Sequence, residues 1–318
     1  MSPLFKTLEG VLVIVGALGL GYLARHRGWL SAERSSPISR AGLTYLSPVV
    51  IALVLWALVL PGWSVAALPV ICALLILLAW PLSSWLGRGL FSAPRDRAPW
   101  ILCSMFSNQG TTYGAFLCYL LLGVQGAALA SFFCLPFAPL VYLLGFYIAG
   151  RYVEGALSPW AALGRVFRAS YSRNPLLATG LGLLLLAFAP RLPLFGHRAI
   201  EVLVPLDAAI QLFAIGLSLR LSRVAAYLRP VVVMHAFKFL LLPLLGLGMA
   251  WALGLWGQAN HEMVKVVFIA ACTPVAILSL VVAQVSGLNR HLANSLWVTT
   301  NLFAVVWAPV TLLIARSL

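Results

Sequence analysis

Residues 107–114 of this chain have the sequence Ser-Asn-Gln-Gly-Thr-Thr-Tyr-Gly, a run of eight residues without one aliphatic side chain. They interrupt a segment, residues 99–122, that is otherwise apolar enough to cross a lipid bilayer. Irregular backbone at membrane depth is tolerated only where it is buried in protein or lines a water-filled cavity. The stretch therefore predicts a broken transmembrane helix whose free backbone groups and polar side chains face a cavity.

The composition of the whole chain is that of a polytopic, all-α membrane protein. Of its 318 residues, 62% are hydrophobic and 9% are charged, and the mean hydropathy is +1.01, whereas about a quarter of the residues of a soluble domain are charged. A membrane-spanning helix needs roughly 20 apolar residues. Charges and Gly/Pro clusters divide the sequence into ten predicted spans, the first of them retained and not cleaved as a signal: residues 8–24, 41–60, 65–87, 99–122, 126–149, 174–190, 199–219, 230–255, 263–287 and 292–315.

The excess of positive charge predicts the orientation of these spans. The chain has 21 Lys and Arg against 7 Asp and Glu, a net charge of +14. Cytoplasmic loops carry the excess of Lys and Arg in membrane proteins. This rule places the odd-numbered loops in the cytoplasm and both termini outside it, so the charge needs no nucleic-acid partner. The cations in these odd-numbered loops are Arg25, Arg27, Arg34, Arg40, Arg88, Arg95, Arg97, Arg151, Arg165, Arg168, Arg173, Arg220, Arg223, Arg229 and Arg290.

The longest connection divides the predicted spans into two equal sets. Residues 150–173 form a cytoplasmic loop between a first five-helix repeat, residues 1–149, and a second five-helix repeat, residues 174–318. Because each half has an odd number of spans, the second half sits upside down relative to the first. Transporters built from such inverted repeats bind their substrates near the membrane midplane, between interrupted helices. The sequence thus predicts ten transmembrane helices in two inverted repeats, with broken helices four and nine crossing.

The second interruption lies in span nine, the counterpart of span four. It contains Thr273 and Pro274, and the proline leaves an unpaired carbonyl four residues earlier. Half-helix N-termini present free N–H groups and a positive dipole end, which favour an anion. The alternative is that these small polar residues only join packed helices by hydrogen bonds. The predicted substrate-binding residues are Asn108, Gln109, Gly110, Thr111, Thr112, Tyr113, Thr273, Pro274, Ser279 and Asn301.

Several motifs resemble those of the auxin efflux carrier family, within the bile acid/arsenite/riboflavin transporter-like superfamily. Residues 171–182 (YSRNPLLATGLG) resemble its Asn-Pro and spaced-glycine pattern. Lys238 followed by Pro243 resembles its basic residue and proline in span eight. Thr273-Pro274 is similar to its crossover segment in span nine.

This resemblance implies a particular fold and function. The fold is a scaffold domain and a transport domain, each formed from both halves, with crossed broken helices. The activity is secondary transport of small organic anions, such as dicarboxylates or indole acetate, in a protein that is often a homodimer. Since residues 150–173 are too short for the long central loop of plant carriers, the chain resembles a compact prokaryotic-type member in the inner membrane.

Three ionisable residues lie inside predicted spans, where such groups are costly and are functional candidates. Asp207 and His235 are candidates for proton coupling, with polar contacts in the protein as the alternative. Lys238 either attracts the anion or stabilises a broken helix. Gln284 is a fourth polar candidate for coupling or structure.

The sequence also bears on three alternative functions. A cation/proton antiporter or a sodium-coupled symporter of the same architecture usually has an acidic residue at the crossing, and span nine has none after Glu262. A membrane enzyme would need a catalytic set, but the sequence has no HExxH motif and no paired intramembrane aspartates. The sequence therefore predicts a transporter and not an enzyme, without a cofactor or metal site.

Overall fold

The computed structural model describes residues 3–153, 159–219, 224–257 and 260–318. Arg220 and Arg223, two of the cations in the predicted cytoplasmic loops, lie outside the described residues, as does part of the connection 150–173.

The described part of the chain is helical throughout, without a β-strand. The helices, numbered in chain order, are α1 (Pro3–His26), α2 (Ala32–Trp56), α3 (Trp63–Leu90), α4 (Pro94–Met105), α5 (Gly114–Phe133), α6 (137–150), α7 (Pro159–Arg168), α8 (Ser170–Phe188), α9 (Leu194–Ser218), α10 (Val224–Ala252), α11 (His261–Ala271), α12 (Ile277–Val285) and α13 (Arg290–Ser317). Helix α2 contains a π-helical turn at Gly42–Leu46, and α10 contains another at Phe237–Leu241.

Length and apolar composition identify the helices that can cross a membrane. Six helical segments among the described residues meet both conditions: α2, α3, the continuous segment Gly114–Gly150, α9, α10 and α13. The expected multi-pass, all-α membrane protein is therefore confirmed. The connection between the two halves is not purely a loop, because it contains helix α7.

Two helices stop inside the protein and resume several residues later. Helix α4 ends at Met105 and α5 begins at Gly114, so that residues 106–113 form what we call the first break. Helix α11 ends at Ala271 and α12 begins at Ile277, and residues 272–276 form the second break. In the second break Pro274 lacks the N–H that would continue the helical hydrogen-bond pattern.

The closest helix packing joins α1 to α9 and α2 to α8. A β-carbon at Gly21 would lie 2.1 Å from the carbonyl oxygen of Phe213, and one at Gly216 would lie 2.1 Å from that of Leu18. Glycine is therefore required on both sides of the α1–α9 contact. Small residues that let helix backbones approach closely are typical of packing in membranes, where the lipid offers no hydrophobic driving force for association.

Candidate functional site

The two breaks contact each other in the middle of the protein. Ser107 and Val275 form an isolated antiparallel bridge. The N–H of Asn108 donates to the carbonyl of Pro274 at 2.7 Å, and the N–H of Ala276 donates to that of Phe106 at 3.0 Å. Each break thus satisfies backbone groups that the other leaves without a helical partner.

Helix α13 supports the second break from behind. The hydroxyl of Thr300 accepts a hydrogen bond from the N–H of Val275 at 3.2 Å. The amide of Asn301 donates to the carbonyl of Val275 at 3.2 Å and to that of Trp297 at 2.8 Å. Asn301, a predicted substrate residue, is buried and uses its amide protons on the backbone.

Several other predicted site residues are also buried and bonded within the protein. The hydroxyl of Tyr113 donates to the carbonyl of Ala304. Gln109 accepts a weak hydrogen bond from the thiol of Cys72 at 3.4 Å, and Thr273 donates to the carbonyl of Ala270 at 2.9 Å. These contacts shape the breaks and do not present the side chains to a ligand.

A small cavity, lined mainly by residues with polar side chains, lies between the first break, the start of α12 and helices α2 and α9. Its volume is about 30 Å³. Of the predicted substrate residues, Asn108 and Thr112 line it. Gln284, predicted as a coupling or structural residue, is exposed on α12 and does not line it. The full lining is Ser35, Ser39, Asn108, Thr112, Gln211, Ala214, Ile215, Ser218 and Ile277.

The groups that the breaks present to the cavity are free. Over the described ranges, neither the side-chain amide of Asn108 nor the hydroxyl of Thr112 has a hydrogen-bond partner in the protein. The N–H group of Ile277, the first residue of α12, has no acceptor outside that helix among the described residues, and the first N–H groups of a helix have no acceptor inside it. The break side of the cavity therefore presents several unused donors.

The opposite wall is formed by residues that the sequence did not single out. The hydroxyl of Ser39 donates to the side-chain oxygen of Gln211 at 2.7 Å, and the amide of Gln211 donates to the carbonyl of Ser39 at 3.3 Å. The hydroxyl of Ser35 donates to the carbonyl of Ala214 at 2.6 Å. A lone serine or glutamine in a helix is no motif, so only the pairing of α2 with α9 reveals this wall.

Lys238 belongs to α10, and its side chain reaches the C-terminal end of α4 instead of the cavity. Its side chain is fully buried. Its ammonium donates to the carbonyl of Ser104 at 2.8 Å and to the hydroxyl of Ser107 at 2.7 Å. A cation at a helix C-terminus satisfies carbonyls that lack helical partners and interacts favourably with the helix dipole.

Asp207 joins two helices and the first break at a second buried position. Its Oδ1 accepts a hydrogen bond from the hydroxyl of Ser47 on α2 at 2.7 Å. The side chain of Thr111, in the first break, lies beside the same carboxyl group. No donor among the described residues reaches Oδ2 with hydrogen-bond geometry. Asp207 therefore lies where the first break meets α2 and α9.

His235 lies in an aromatic cluster that joins α10 to α13. Its two ring nitrogens approach the carbonyls of Val231 at 2.7 Å and Thr299 at 3.2 Å, and its ring packs edge-on against Phe303. A neutral imidazole has one N–H and can donate to only one of these carbonyls.

Within the described ranges, no group of three or more His, Cys, Asp or Glu side chains is placed to hold a metal.

Two further contacts join the break helices to the elements opposite them. The amide of Gln125 donates to the carbonyl of Val59 at 2.7 Å, and its side-chain oxygen accepts from the N–H of Val59 at 3.0 Å. The hydroxyl of Tyr119 donates to the carbonyl of Glu201 at 3.3 Å. Both contacts lie toward the ends of α2 and α9 that are remote from the cavity-lining residues Ser35 and Ser218.

A multi-pass helical protein with a polar cavity at two interrupted helices has the architecture of a membrane transport protein. A family model described as membrane transport protein, the auxin efflux carrier family, matches residues 6–312, and the chain belongs to this family. The family indicated by the motifs is therefore confirmed. No curated protein is significantly similar to the chain.

Proposed function

We propose that the protein is a secondary transporter that moves a small organic anion, such as a mono- or dicarboxylate, by alternating access. The substrate binds at the crossing of the first and second breaks. The observation that carries this proposal is the set of unused donors at the cavity, namely the side-chain amide of Asn108, the hydroxyl of Thr112 and the N–H group of Ile277.

The chemistry of the cavity favours an anion over a cation. None of its described lining residues is acidic, and a carboxylate accepts hydrogen bonds from the donors that the breaks present. Helix α12 begins at the cavity with Ile277, so the positive end of its dipole faces the bound anion. Both features are provided by the backbone and neutral side chains, without a salt bridge that would hold the substrate too tightly.

The helix pattern supports ten spans in two inverted repeats. Helices α4 and α11 precede the two breaks, and a glycine with positive φ interrupts the helical path after each break: α5 is kinked at Gly123, with φ 65°, and α12 ends at Val285, just before Gly287, with φ 67°. The packing of α1 on α9 has a counterpart in that of α8 on α2, because exchanging the two halves converts one pair into the other. With the arginine distribution, this arrangement supports an inner-membrane protein with both termini outside the cytoplasm.

The size of the cavity supports a moving transport domain. Ligand pockets measure roughly 300–1,000 Å³, whereas this cavity measures about 30 Å³. An organic anion therefore requires the breaks to move away from α2 and α9. We assign α1, α2, α8 and α9 to a scaffold domain and the remaining membrane helices to a transport domain that slides or rocks against it. The scaffold is also the surface on which we expect the homodimer to form.

The buried charges favour proton coupling or uniport over sodium symport. The ammonium of Lys238 already binds the carbonyl end of α4, and the C-terminal ends of half-helices are where transporters of this architecture coordinate sodium. Asp207 contacts both domains through Ser47 and Thr111, so a change in its protonation would act directly on their interface. We therefore assign Lys238 a structural role and Asp207 the coupling role.

The test is transport by purified protein in liposomes. Labelled mono- and dicarboxylates are offered under imposed substrate, proton and sodium gradients, and we expect uptake of at least one carboxylate. The variant Asn108→Ala is expected to lose this uptake. Gln284→Ala is the matched control, because it removes an exposed carboxamide from α12 outside the cavity.

The outcomes separate the alternatives. Absence of carboxylate transport under every gradient would refute the proposal. Proton flux driven by sodium in the absence of any carboxylate would instead identify a cation/proton antiporter. Carboxylate uptake that requires sodium would identify a sodium-coupled symporter of the same architecture. Equal loss of uptake in Asn108→Ala and Gln284→Ala would remove the cavity from the substrate path.

A further inference from the structure

A second, larger groove lies between α3 and α10. Its volume is about 630 Å³. Trp85, Leu86 and Val233 form apolar parts of its wall, and Arg88 and Arg229 both line it. The groove therefore combines an apolar surface with two guanidinium groups, each of which presents five N–H donors.

The two arginines of the groove have no partner among the described residues. Both are exposed, and neither makes a hydrogen bond or an ion pair there. The neighbouring arginines differ in this respect, because Arg95 donates to the carbonyl of Gly287 at 2.9 Å and Arg97 donates to that of Phe91 at 3.2 Å. Arg88 and Arg229 are thus free to bind an anion from outside the protein.

The groove lies at the edge of the membrane. Arg88 is in the last turn of α3, and Arg229 is near the beginning of α10, two helices long and apolar enough to cross a bilayer. The side chain of Trp85 is 69% exposed, and tryptophan is enriched at the level of the lipid headgroups. The distribution of arginines assigns this edge to the cytoplasmic side, where anionic lipid headgroups attract basic residues.

We propose that this groove binds an anionic phospholipid. The phosphate group of the lipid accepts hydrogen bonds from Arg88 and Arg229, and an acyl chain lies along Trp85 and Val233. A planar guanidinium group can donate two parallel hydrogen bonds to two oxygens of one phosphate, which adds geometric specificity to the electrostatic attraction. The apolar wall distinguishes a lipid from a free phosphate ion, because only the lipid has a chain to cover it.

A lipid in this position would join the two helices that hold the first break. Helix α3 packs on α4, and α10 carries Lys238, which binds the carbonyl end of α4. The proposed lipid bridges the ends of α3 and α10 through Arg88 and Arg229. We therefore expect the lipid to stabilise the folded protein, and this expectation does not depend on which substrate the cavity takes.

The test measures thermal unfolding of the full chain in a neutral detergent. Phosphatidylglycerol, phosphatidylcholine with the same acyl chains, and inorganic phosphate are added in separate titrations, and native mass spectrometry counts the bound lipid. The test variant is Arg88→Gln with Arg229→Gln. The control is Arg151→Gln with Arg173→Gln, which removes the same charge from two exposed arginines outside the groove.

We expect phosphatidylglycerol, but neither phosphatidylcholine nor phosphate, to raise the melting temperature. Two arginines near the membrane surface contribute about 1 kcal/mol each to binding an anionic lipid, so the test variant should bind phosphatidylglycerol roughly 10- to 30-fold more weakly. The control should bind it as the wild type does. If the double variant is not monodisperse, Arg88→Gln and Arg229→Gln are titrated singly, and each must weaken binding.

Three results would overturn the proposal. Equal stabilisation by inorganic phosphate would show an anion site without lipid specificity. Equal stabilisation by phosphatidylcholine would show that the charge of the headgroup plays no part. Equally weak binding of phosphatidylglycerol to the control variant would show that the binding depends on the net charge of this face and not on the groove.

Discussion

Replacing Lys238 by methionine tests whether its charge serves the fold or the substrate. Lys238→Met keeps the length and much of the volume of the side chain but removes the ammonium that donates to Ser104 and Ser107. The carbonyl of Ser104 is then a buried acceptor without a donor, whereas the Ser107 hydroxyl can rotate toward another partner. We expect the variant to be less stable than the wild type.

The expected loss follows from these contacts. An unsatisfied buried acceptor costs about 1–3 kcal/mol, and a cation at a helix C-terminus contributes about 0.3–2 kcal/mol. The methionine avoids part of the cost of burying a charge, which offsets some of this loss. A net loss of about 2 kcal/mol corresponds to a fall in melting temperature of about 3 °C, because the entropy of unfolding is about 2.1 cal/mol/K per residue and the chain has 318 residues.

The assay is thermal unfolding of the detergent-solubilised protein, followed by tryptophan fluorescence, together with carboxylate uptake in liposomes. Lys265→Met is the matched control, because Lys265 is only partly buried and makes no hydrogen bond among the described residues. We expect it to change stability by less than about 0.5 kcal/mol. If Lys238→Met unfolds at the wild-type temperature but has lost uptake, the lysine acts on the substrate and the structural assignment is wrong.

Three further predictions concern the cavity and the domain interface. Asn108→Ala should reduce carboxylate uptake about tenfold, which corresponds to about 1.4 kcal/mol for one lost hydrogen bond, with an unchanged melting temperature. Asn301→Ala should also lower the melting temperature, because that amide holds the second break, and equal destabilisation by the two changes would make both residues structural. Asp207→Asn should remove the dependence of uptake on pH, since an amide releases no proton in this range, and a wild-type pH profile would assign Asp207 to structure alone. Gln125→Ala should favour separation of the scaffold and transport domains on the side where Gln125 binds Val59, so that a membrane-impermeant maleimide labels Asn108→Cys faster from outside the cell. An unchanged labelling rate would show that this contact does not hold the two domains together.

The sequence revealed the first break because eight polar or small residues in an apolar segment are a local signal. Residues 107–114 carry that signal by themselves, and Pro274 marks the second break in the same way. Contacts between distant residues leave no such trace. The cavity wall formed by Ser39 and Gln211 joins residues that are 172 positions apart, and each is unremarkable in its own helix.

The sequence also could not assign the polar residues within the breaks to different roles. Asn108 and Gln109 are adjacent and chemically alike, yet Asn108 faces the cavity and Gln109 is buried beside Cys72. The bridge between the breaks is formed by Ser107, and directly after it the N–H of Gln109 donates to the carbonyl of Ser107 at 2.9 Å, so the backbone turns at Asn108. This turn decides which of the two side chains faces the cavity, and it has no counterpart in the pattern of residue types.

The distribution of hydrogen bonds around the cavity bears on how the transporter moves. The serine and glutamine side chains of α2 and α9 are bonded within the scaffold, through Ser35, Ser39 and Gln211. The unused donors all belong to the breaks and to the first turn of α12. When the breaks move past the scaffold, these bonds remain intact, so the motion leaves the three cavity-lining side chains with their partners. It does separate Asp207 from Thr111 of the first break, while Asp207 keeps its hydrogen bond from Ser47. The substrate, bound by the donors of the breaks, is expected to travel with them, which favours sliding of the transport domain over opening of a fixed site.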